Sequence, residues 1–301
     1  MLAVMGSDIR VEPAENASAV PVALSPVVAG VDGSELAVRA AYWAAVEADA
    51  RQAPVHLVHI ATRDEVGVEG MEVLLATRQA VLDRWSRTSQ RSAPVIEPQV
   101  LVGDPAVRLE ELSATAALLV VGDTQAGPLA GILHGSVAAT LAGASRCPVA
   151  LIRPLHNAAS AVGPVLVAVE DTVSAEQTLP AAFRVAATHH SSLLVADLRH
   201  RAVATDDLDA LINRYREQFA TVTTQCATVA GDRHTALERL SAAAQLLVIA
   251  RDEHHRWRAH LNPMLHLALH HTHCPVLVVP QGGRAATGSE HLGRHRTTTV
   301  G

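Results

Sequence analysis

An internal repeat constrains the fold of this chain more than any other feature of its sequence. Short segments of the first half recur in the second half in the same order, at offsets of 138, 138, 128, 128 and 127 positions. Five ordered matches with such small changes of offset indicate a duplicated unit. The paired segments are 26–32 with 164–170, 55–60 with 193–198, 102–104 with 230–232, 117–123 with 245–251, and 147–152 with 274–279.

The apolar segments in each copy predict buried parallel strands. Runs such as Val-Val-Ala-Gly-Val at 27–31 are apolar on both faces, and they alternate with longer segments of helical spacing. Such alternation is typical of βαβ units. We therefore predict an α/β fold with two tandem doubly wound open parallel-sheet domains of Rossmann-like type. The expected layout is a disordered tail at 1–24, a first domain at 25–154, a linker at 155–163, a second domain at 164–280 and a disordered tail at 281–301.

Composition argues against several classes of protein. The net charge of −6 does not favour a nucleic-acid partner, and the absence of lysine excludes a P-loop lysine or a Schiff base. The sequence has no apolar run of about 18 residues and no N-terminal export pattern, so we expect no membrane association. Three widely separated cysteines favour a reducing compartment and hence a cytoplasmic location. Cys147 and Cys274 precede equivalent strands and are interpreted as packing residues.

Helix starts follow the first strand of each copy. Ser34 is predicted to cap the first helix, and Ser174 with Gln177 has the spacing of a capping box for its counterpart. Pro180 lies inside the second of these helices, where it removes a backbone donor. We therefore expect a kink or a late start in that helix.

The ends of the strands predict a ligand site in the first copy. In a doubly wound sheet, ligands bind beyond the carboxyl ends of the strands, where the strand order reverses. Asp32 ends the first strand and Gly122 ends the fourth, while Gly135-Ser136 opens a helix whose free N–H groups favour an anion. A carboxylate such as Asp32 suits an adenine amino group or a ribose hydroxyl. The alternative is that Asp32 only begins the helix capped by Ser34.

Several motifs together resemble the universal stress protein family over residues 26–280. They are VVAGVDGS at 27–34, Gly103-Asp104-Pro105, LLVVG at 118–122, Gly135-Ser136 and CPVALI at 147–152. The resemblance implies a fold of the adenine nucleotide α-hydrolase type and an ATP-binding loop of the form Gly, two residues, Gly, nine residues, Gly, Ser. Gln125 stands where that pattern has its second glycine, and its Cβ restricts close approach to a ligand. The nucleotide contacts implied by the resemblance are Gly30, Asp32, Ile60, Gly122, Thr124, Gln125, Gly135, Ser136 and Val137.

The second copy departs from this pattern at each key position. Glu170 replaces Asp32, Ala250 replaces Gly122, and Asn262-Pro263 replaces Gly135-Ser136. Proline removes the N–H that an anion needs at a helix start. We interpret this half as a structural or partner-binding domain.

Other conspicuous residues have simpler interpretations. His266 and His270 can share a helix face, but no zinc-type spacing surrounds them, so we expect a polar face and no metal site. His189-His190 and Arg199-His200-Arg201 are interpreted as solvated turns. No nucleophile-and-base motif is present, so we do not expect an enzyme, although slow ATP hydrolysis stays open.

The resulting hypothesis is a stress-response regulatory protein that binds ATP or a related adenine nucleotide in its first domain only. One alternative is a nucleotide-independent tandem scaffold that acts through an unidentified protein partner, and another is a nucleotide-using enzyme with an unrecognised site. The closing strands, 147–152 and 274–279, would each leave an apolar sheet edge exposed. We therefore predict that these strands pair and join the two halves within one chain.

Overall fold

Helices and strands alternate along the chain in the computed structural model, which describes residues 24–61, 68–123, 136–155, 157–199, 206–229, 231–251 and 263–281. The strands are β1 Val27–Gly30, β2 Val55–Ala61, β3 Ile96–Val102, β4 Leu118–Gly122, β5 Val149–Ile152, β6 Val165–Val169, β7 Leu193–Asp197, β8 Thr224–Thr228, β9 Leu246–Arg251 and β10 Val276–Pro280. The helices are α1 Glu35–Arg51, α2 Val68–Thr88, α3 Pro105–Leu112, α4 Ser136–Ala144, α5 Thr172–Thr188, α6 Asp206–Gln218, α7 Arg233–Ser241 and α8 Pro263–His270, with a 3-10 turn at Ala159–Val162. Apart from Leu24 and Gln281, the predicted tails lie outside the described residues.

The ten strands form one sheet in the order β3-β2-β1-β4-β5-β10-β9-β6-β7-β8. Neighbouring strands run parallel within each half. The second half has the same strand order as the first, read in the opposite direction across the sheet. Strands such as β4 and β9 are buried over most of their length because helices cover both faces of the sheet. This arrangement confirms the predicted α/β fold with doubly wound parallel strands.

The two halves meet at β5 and β10, as the apolar closing strands predict. These strands pair antiparallel, with Val276 opposite Leu151 and Val278 opposite Val149. Every residue of both strands is buried. Antiparallel pairing of equivalent strands relates the halves by an approximate two-fold axis and leaves neither apolar edge unpaired.

Each face of the sheet carries a core that extends across both halves. One core lies under α1, α2, α5 and α6 and includes the fully buried Leu57 and Phe183. The other lies under α3, α4, α7 and α8 and includes Leu141 and Leu265. Among the described residues, no helix combines the length and apolar character that crossing a bilayer requires.

The first predicted helix cap is confirmed and the second is wrong. Ser34 Oγ accepts the N–H of Ala37 at 3.1 Å and caps α1. In the second half the cap is Asp171, whose carboxylate accepts the N–H of Ser174 at 2.6 Å, while Ser174 Oγ accepts the N–H of Asp171 at 3.0 Å. The reciprocal pair therefore places the cap of α5 three residues before Ser174.

Helix α5 has no late start, and it continues through Pro180. Leu179, Ala182 and Phe183, which lie close to this proline in the helix, are fully buried. Their packing against the sheet offsets the hydrogen bond that Pro180 removes.

Candidate functional site

A cleft of about 320 Å³ opens between β1 and β4 in the first half. The strand order reverses at this point, because the chain places β2 on one side of β1 and β4 on the opposite side. Its walls come from the carboxyl ends of β1, β2 and β4 and from the first turns of α1, α3 and α4. A cleft at this point of a doubly wound sheet is the expected position for a ligand.

Five of the nine predicted contact residues line the cleft: Gly30, Asp32, Ile60, Gly122 and Val137. Thr124, Gln125 and Gly135 lie outside the described residues. Ser136 is the first residue of α4, but its side chain is likewise outside what the structure describes.

Asp32 is one of the acidic groups on the cleft wall. Its Oδ1 accepts the N–H of Ser34 at 3.0 Å, so the alternative role at the start of α1 accounts for one oxygen. None of the described residues donates a hydrogen bond to Oδ2. One carboxylate oxygen therefore remains available to a ligand in the cleft.

Gly122 allows the end of β4 to lie directly against the first turn of α1. A Cβ at this position would lie 3.2 Å from Leu36 Cγ and 3.4 Å from the Leu36 carbonyl carbon. The contact with Leu36 Cγ is tighter than ordinary packing, so that side chain would have to shift by a few tenths of an ångström, and the glycine thus favours the close approach of α1 and β4 at the cleft. Its position therefore has a packing reason in addition to ligand access.

The floor of the cleft is apolar. Ile60, Leu109, Val121 and Val137 contribute to the lining, and Leu109 and Val121 are buried. Apolar walls with a few polar groups at the rim suit a flat aromatic base that carries polar substituents.

Sequence analysis missed His59, which also lines the cleft. Its Nδ1–H donates to the carbonyl oxygen of Val31 at 2.8 Å. This bond fixes the ring, and the neutral form then presents Nε2 as an acceptor. Strand alternation places His59 and Ile60 on opposite faces, so the pattern offers no reason to choose both. A cavity beyond the strand end is reached from either face.

Sequence analysis also missed a buried ion pair beside the cleft. Asp123 follows β4 and lines the cleft. Its Oδ2 accepts a hydrogen bond from Nε of Arg153 at 2.7 Å and also lies 2.7 Å from Nη2 of the same guanidinium. The Arg153 side chain is 3% exposed and that of Asp123 is 8% exposed. Both residues belong to apolar strand-end motifs whose sequence does not indicate that they form a pair.

The second half has a different arrangement at the equivalent strand ends. Arg199 was interpreted as part of a solvated turn, but it is buried and forms a two-point ion pair with Asp197, with distances of 2.9 and 3.0 Å. A guanidinium becomes buried in this way because its planar fork matches the carboxylate. Pro263 opens α8 and offers no N–H there. Asn262 lies outside the described residues, as do His200 and Arg201.

His189 is a second correction to the solvated-turn interpretation. Its Nε2 lies 2.9 Å from Oε1 of the fully buried Glu47, and its ring stacks on Trp43 with centroids 5.4 Å apart. Glu47 and Trp43 belong to α1 in the first half. His189 therefore joins the halves on the α1–α5 face of the sheet.

The remaining histidines and cysteines have these surroundings. The rings of His266 and His270 lie 4.5 Å apart, and burial lowers the pKa of His270. The described residues contain no group of three or more metal-ligating side chains that could hold an ion.

Cys147 and Cys274 are buried, which confirms their packing role. Burial raises their thiol pKa to about 11 and about 12, respectively.

Taken together, the reversed strand order and the cleft at the reversal define a tandem Rossmann-like protein of the doubly wound class. The universal stress protein family model matches residues 24–153. Universal stress protein Rv3134c of Mycobacterium tuberculosis is 41% identical over 130 residues, which cover 42% of this chain and only about half of that protein, 48%. Universal stress protein Rv2028c of the same organism is 28% identical over 268 residues, covering 85% of this chain and 96% of that protein.

Among solved structures, a universal stress protein from Archaeoglobus fulgidus has a TM-score of 0.66, covering 85% of this chain and 98% of that one. At 17% identity this likeness shows the fold alone. The first half of the chain therefore matches the universal stress protein family model, and the chain is similar to universal stress proteins along 85% of its length.

Proposed function

We propose that this chain is a cytoplasmic regulatory stress protein that binds one adenine nucleotide, ATP or a close relative, in its first half and is not an enzyme. In this proposal residues 25–154 and 164–280 form two domains, and only the first binds nucleotide. The observation that carries the proposal is the cleft between β1 and β4, where Asp32, Gly122 and the start of α4 converge.

The lining of the cleft supports a specific orientation of the nucleotide. The apolar floor suits the base, and Asp32 Oδ2 suits a hydroxyl or amino donor of the nucleoside. The first turn of α4 offers the phosphates partial positive charge and backbone N–H groups that have no partner within the helix itself. Thr124, Gln125, Gly135 and Ser136 belong to the proposed site through the family resemblance.

The second half supports the proposed stoichiometry of one nucleotide per chain. Ala250 adds a Cβ at the strand end, and Pro263 removes a donor at the start of α8. The partly buried pair of Arg199 and Asp197 lies at the end of β7, the strand equivalent to β2 in the first half. These three differences argue against a second nucleotide in that half.

A nucleotide-independent scaffold is the second candidate function, because Gln125 replaces a glycine of the family's ATP-binding loop. In that case the protein acts through protein–protein contacts alone. The substitution Gln125→Gly separates the two candidates, since it restores the glycine and leaves the other predicted contacts in place.

Isothermal titration calorimetry with ATP, ADP and AMP tests the proposal. We expect about one nucleotide per chain, tighter binding in Gln125→Gly, and a loss of roughly 1–3 kcal/mol of binding free energy in Asp32→Ala. Ser136→Pro should weaken binding, because it removes a backbone donor and a hydroxyl. The matched control Pro263→Ala, at the equivalent position of α8, should change nothing. If neither the wild type nor Gln125→Gly binds any of the three at millimolar concentration, the scaffold function replaces this one.

A further inference from the structure

Arg153 connects the wall of the cleft to the second half of the chain. It follows β5 of the first half, and besides Asp123 it donates to the carbonyl oxygens of Ala268 and Leu269, each at 2.9 Å. Its Nη1 also lies 3.4 Å from Thr272 Oγ1. The acceptors Ala268 and Leu269 belong to the last turn of α8, where carbonyl groups lack partners within the helix.

We propose that Arg153 is a positioning residue for the nucleotide cleft. By binding both Asp123 and the last turn of α8, it neutralises and fixes the Asp123 carboxylate, which allows an anionic ligand to bind nearby. This inference rests on the proposed function, and it assigns a role to the second half, which has lost the nucleotide-binding features itself. The second half supports the site of the first by supplying the carbonyl groups that fix the guanidinium.

The charges explain why the cleft needs this pairing. A carboxylate beside a phosphate site repels the ligand unless a cation neutralises it. Arg153 does so at 2.7 Å, in surroundings that leave its side chain 3% exposed and therefore weakly screened by salt. The planar guanidinium fork reaches the carboxylate and the helix carbonyls together, which a lysine ammonium does not reproduce.

The second half makes a comparable contact in the other direction. Arg251 occupies the position equivalent to Asp123, and its Nη1 lies 3.5 Å from the carbonyl oxygen of Ala142 in the last turn of α4. Each half therefore sends an arginine to a helix end of the other.

The test compares a charged with an uncharged ligand on the full chain. Arg153→Gln leaves Asp123 as an unpaired anion, so ATP affinity should fall about tenfold while adenosine affinity falls less than about threefold. The double variant Asp123→Asn/Arg153→Gln removes both charges and should recover most of the ATP affinity. A purely structural role predicts equal losses for both ligands and no recovery.

The matched control is His189→Gln, which alters a polar contact between the halves on the opposite face of the sheet. It should leave both affinities unchanged. In the wild type, hydrogen exchange should show that ATP slows exchange in the last turn of α8, because coupling between two sites is reciprocal. Because it uses only the wild type, that measurement tests the role of Arg153 even if Arg153→Gln does not fold.

The outcomes separate the two proposals. If the wild type binds no nucleotide, the proposed function fails and this inference fails with it. If the wild type binds ATP but α8 gains no protection, or if Arg153→Gln binds ATP as the wild type does, only the role of Arg153 is overturned. Equal losses for ATP and adenosine, or a double variant no better than the single one, overturn it as well.

Discussion

Replacing Glu47 with glutamine should destabilise the protein strongly at neutral pH and much less in acid. Glu47 is fully buried between α1 and α5, where Arg51 and His189 both contact its carboxylate. Burial alone would raise its pKa, but the charge of Arg51 and the hydrogen bond and charge of His189 outweigh it and lower the pKa from 4.5 to about 2. The carboxylate is therefore stabilised in its charged form in the folded state.

The magnitude follows from the difference between the folded and unfolded pKa. A carboxyl whose pKa falls from 4.5 to about 2 on folding contributes about 3 kcal/mol to the free energy of unfolding at pH 7. This contribution is complete above the unfolded pKa and is lost as pH falls through the folded pKa. At pH 3 it should have decreased to about 1.5 kcal/mol. Glu47→Gln keeps the shape of the side chain but removes the charge, so its cost should follow the same pH dependence.

Urea unfolding at pH 7 and pH 3 measures this cost. Circular dichroism reports the whole fold, and tryptophan fluorescence adds a local probe because Trp43 stacks on His189 beside the carboxylate. The matched control is Glu72→Gln, the same chemical change at an exposed position on α2, which should cost less than about 0.5 kcal/mol. A loss below about 1 kcal/mol in Glu47→Gln at pH 7, or an equal loss at both pH values, would refute the reasoning.

Two further predictions concern the cysteines and histidines. In the native protein a thiol reagent should modify Cys226, which is exposed, and leave Cys147 and Cys274 unmodified until unfolding, because both are buried with raised pKa. Mass spectrometry of the labelled peptides checks this, and rapid native labelling of either buried thiol contradicts it. Zinc should raise the melting temperature by no more than a few degrees, as measured by calorimetric scanning. A sub-micromolar zinc site that His266→Ala abolishes would show that the histidines of α8 do hold metal.

Much of the fold was predictable because its determinants are local. Apolar runs in both copies indicated the strands, and the repeat indicated that the two halves have the same topology. The cap at Ser34 was predictable for the same reason, since a cap depends on a few adjacent residues. The error at Ser174 was also local: Asp171 and Ser174 are both good capping residues, and the pair between them placed the cap on Asp171.

Only part of the candidate site was predictable. Gly30, Asp32, Ile60, Gly122 and Val137 line the cleft, while the nucleotide contacts that the family resemblance implies for them stay a prediction. The sequence did not indicate His59, because its neighbour Ile60 was the predicted contact and adjacent residues of a strand point to opposite faces of the sheet. The Asp123–Arg153 pair was not predictable from local sequence, because the guanidinium is fixed by carbonyl groups of α8, which belongs to the other half of the chain.

The sequence by itself determined the α/β fold, the duplication, the loss of site features in the second half and the burial of Cys147 and Cys274. Each of these depends on the type and spacing of residues close together in the chain. Tertiary structure alone decided that Glu47 meets His189, 142 residues away, and that Arg153 reaches Ala268, 115 residues away. The physical reason is that antiparallel pairing of β5 and β10 brings the halves together. Which polar side chains then share a buried space depends on that geometry, and no local pattern encodes it.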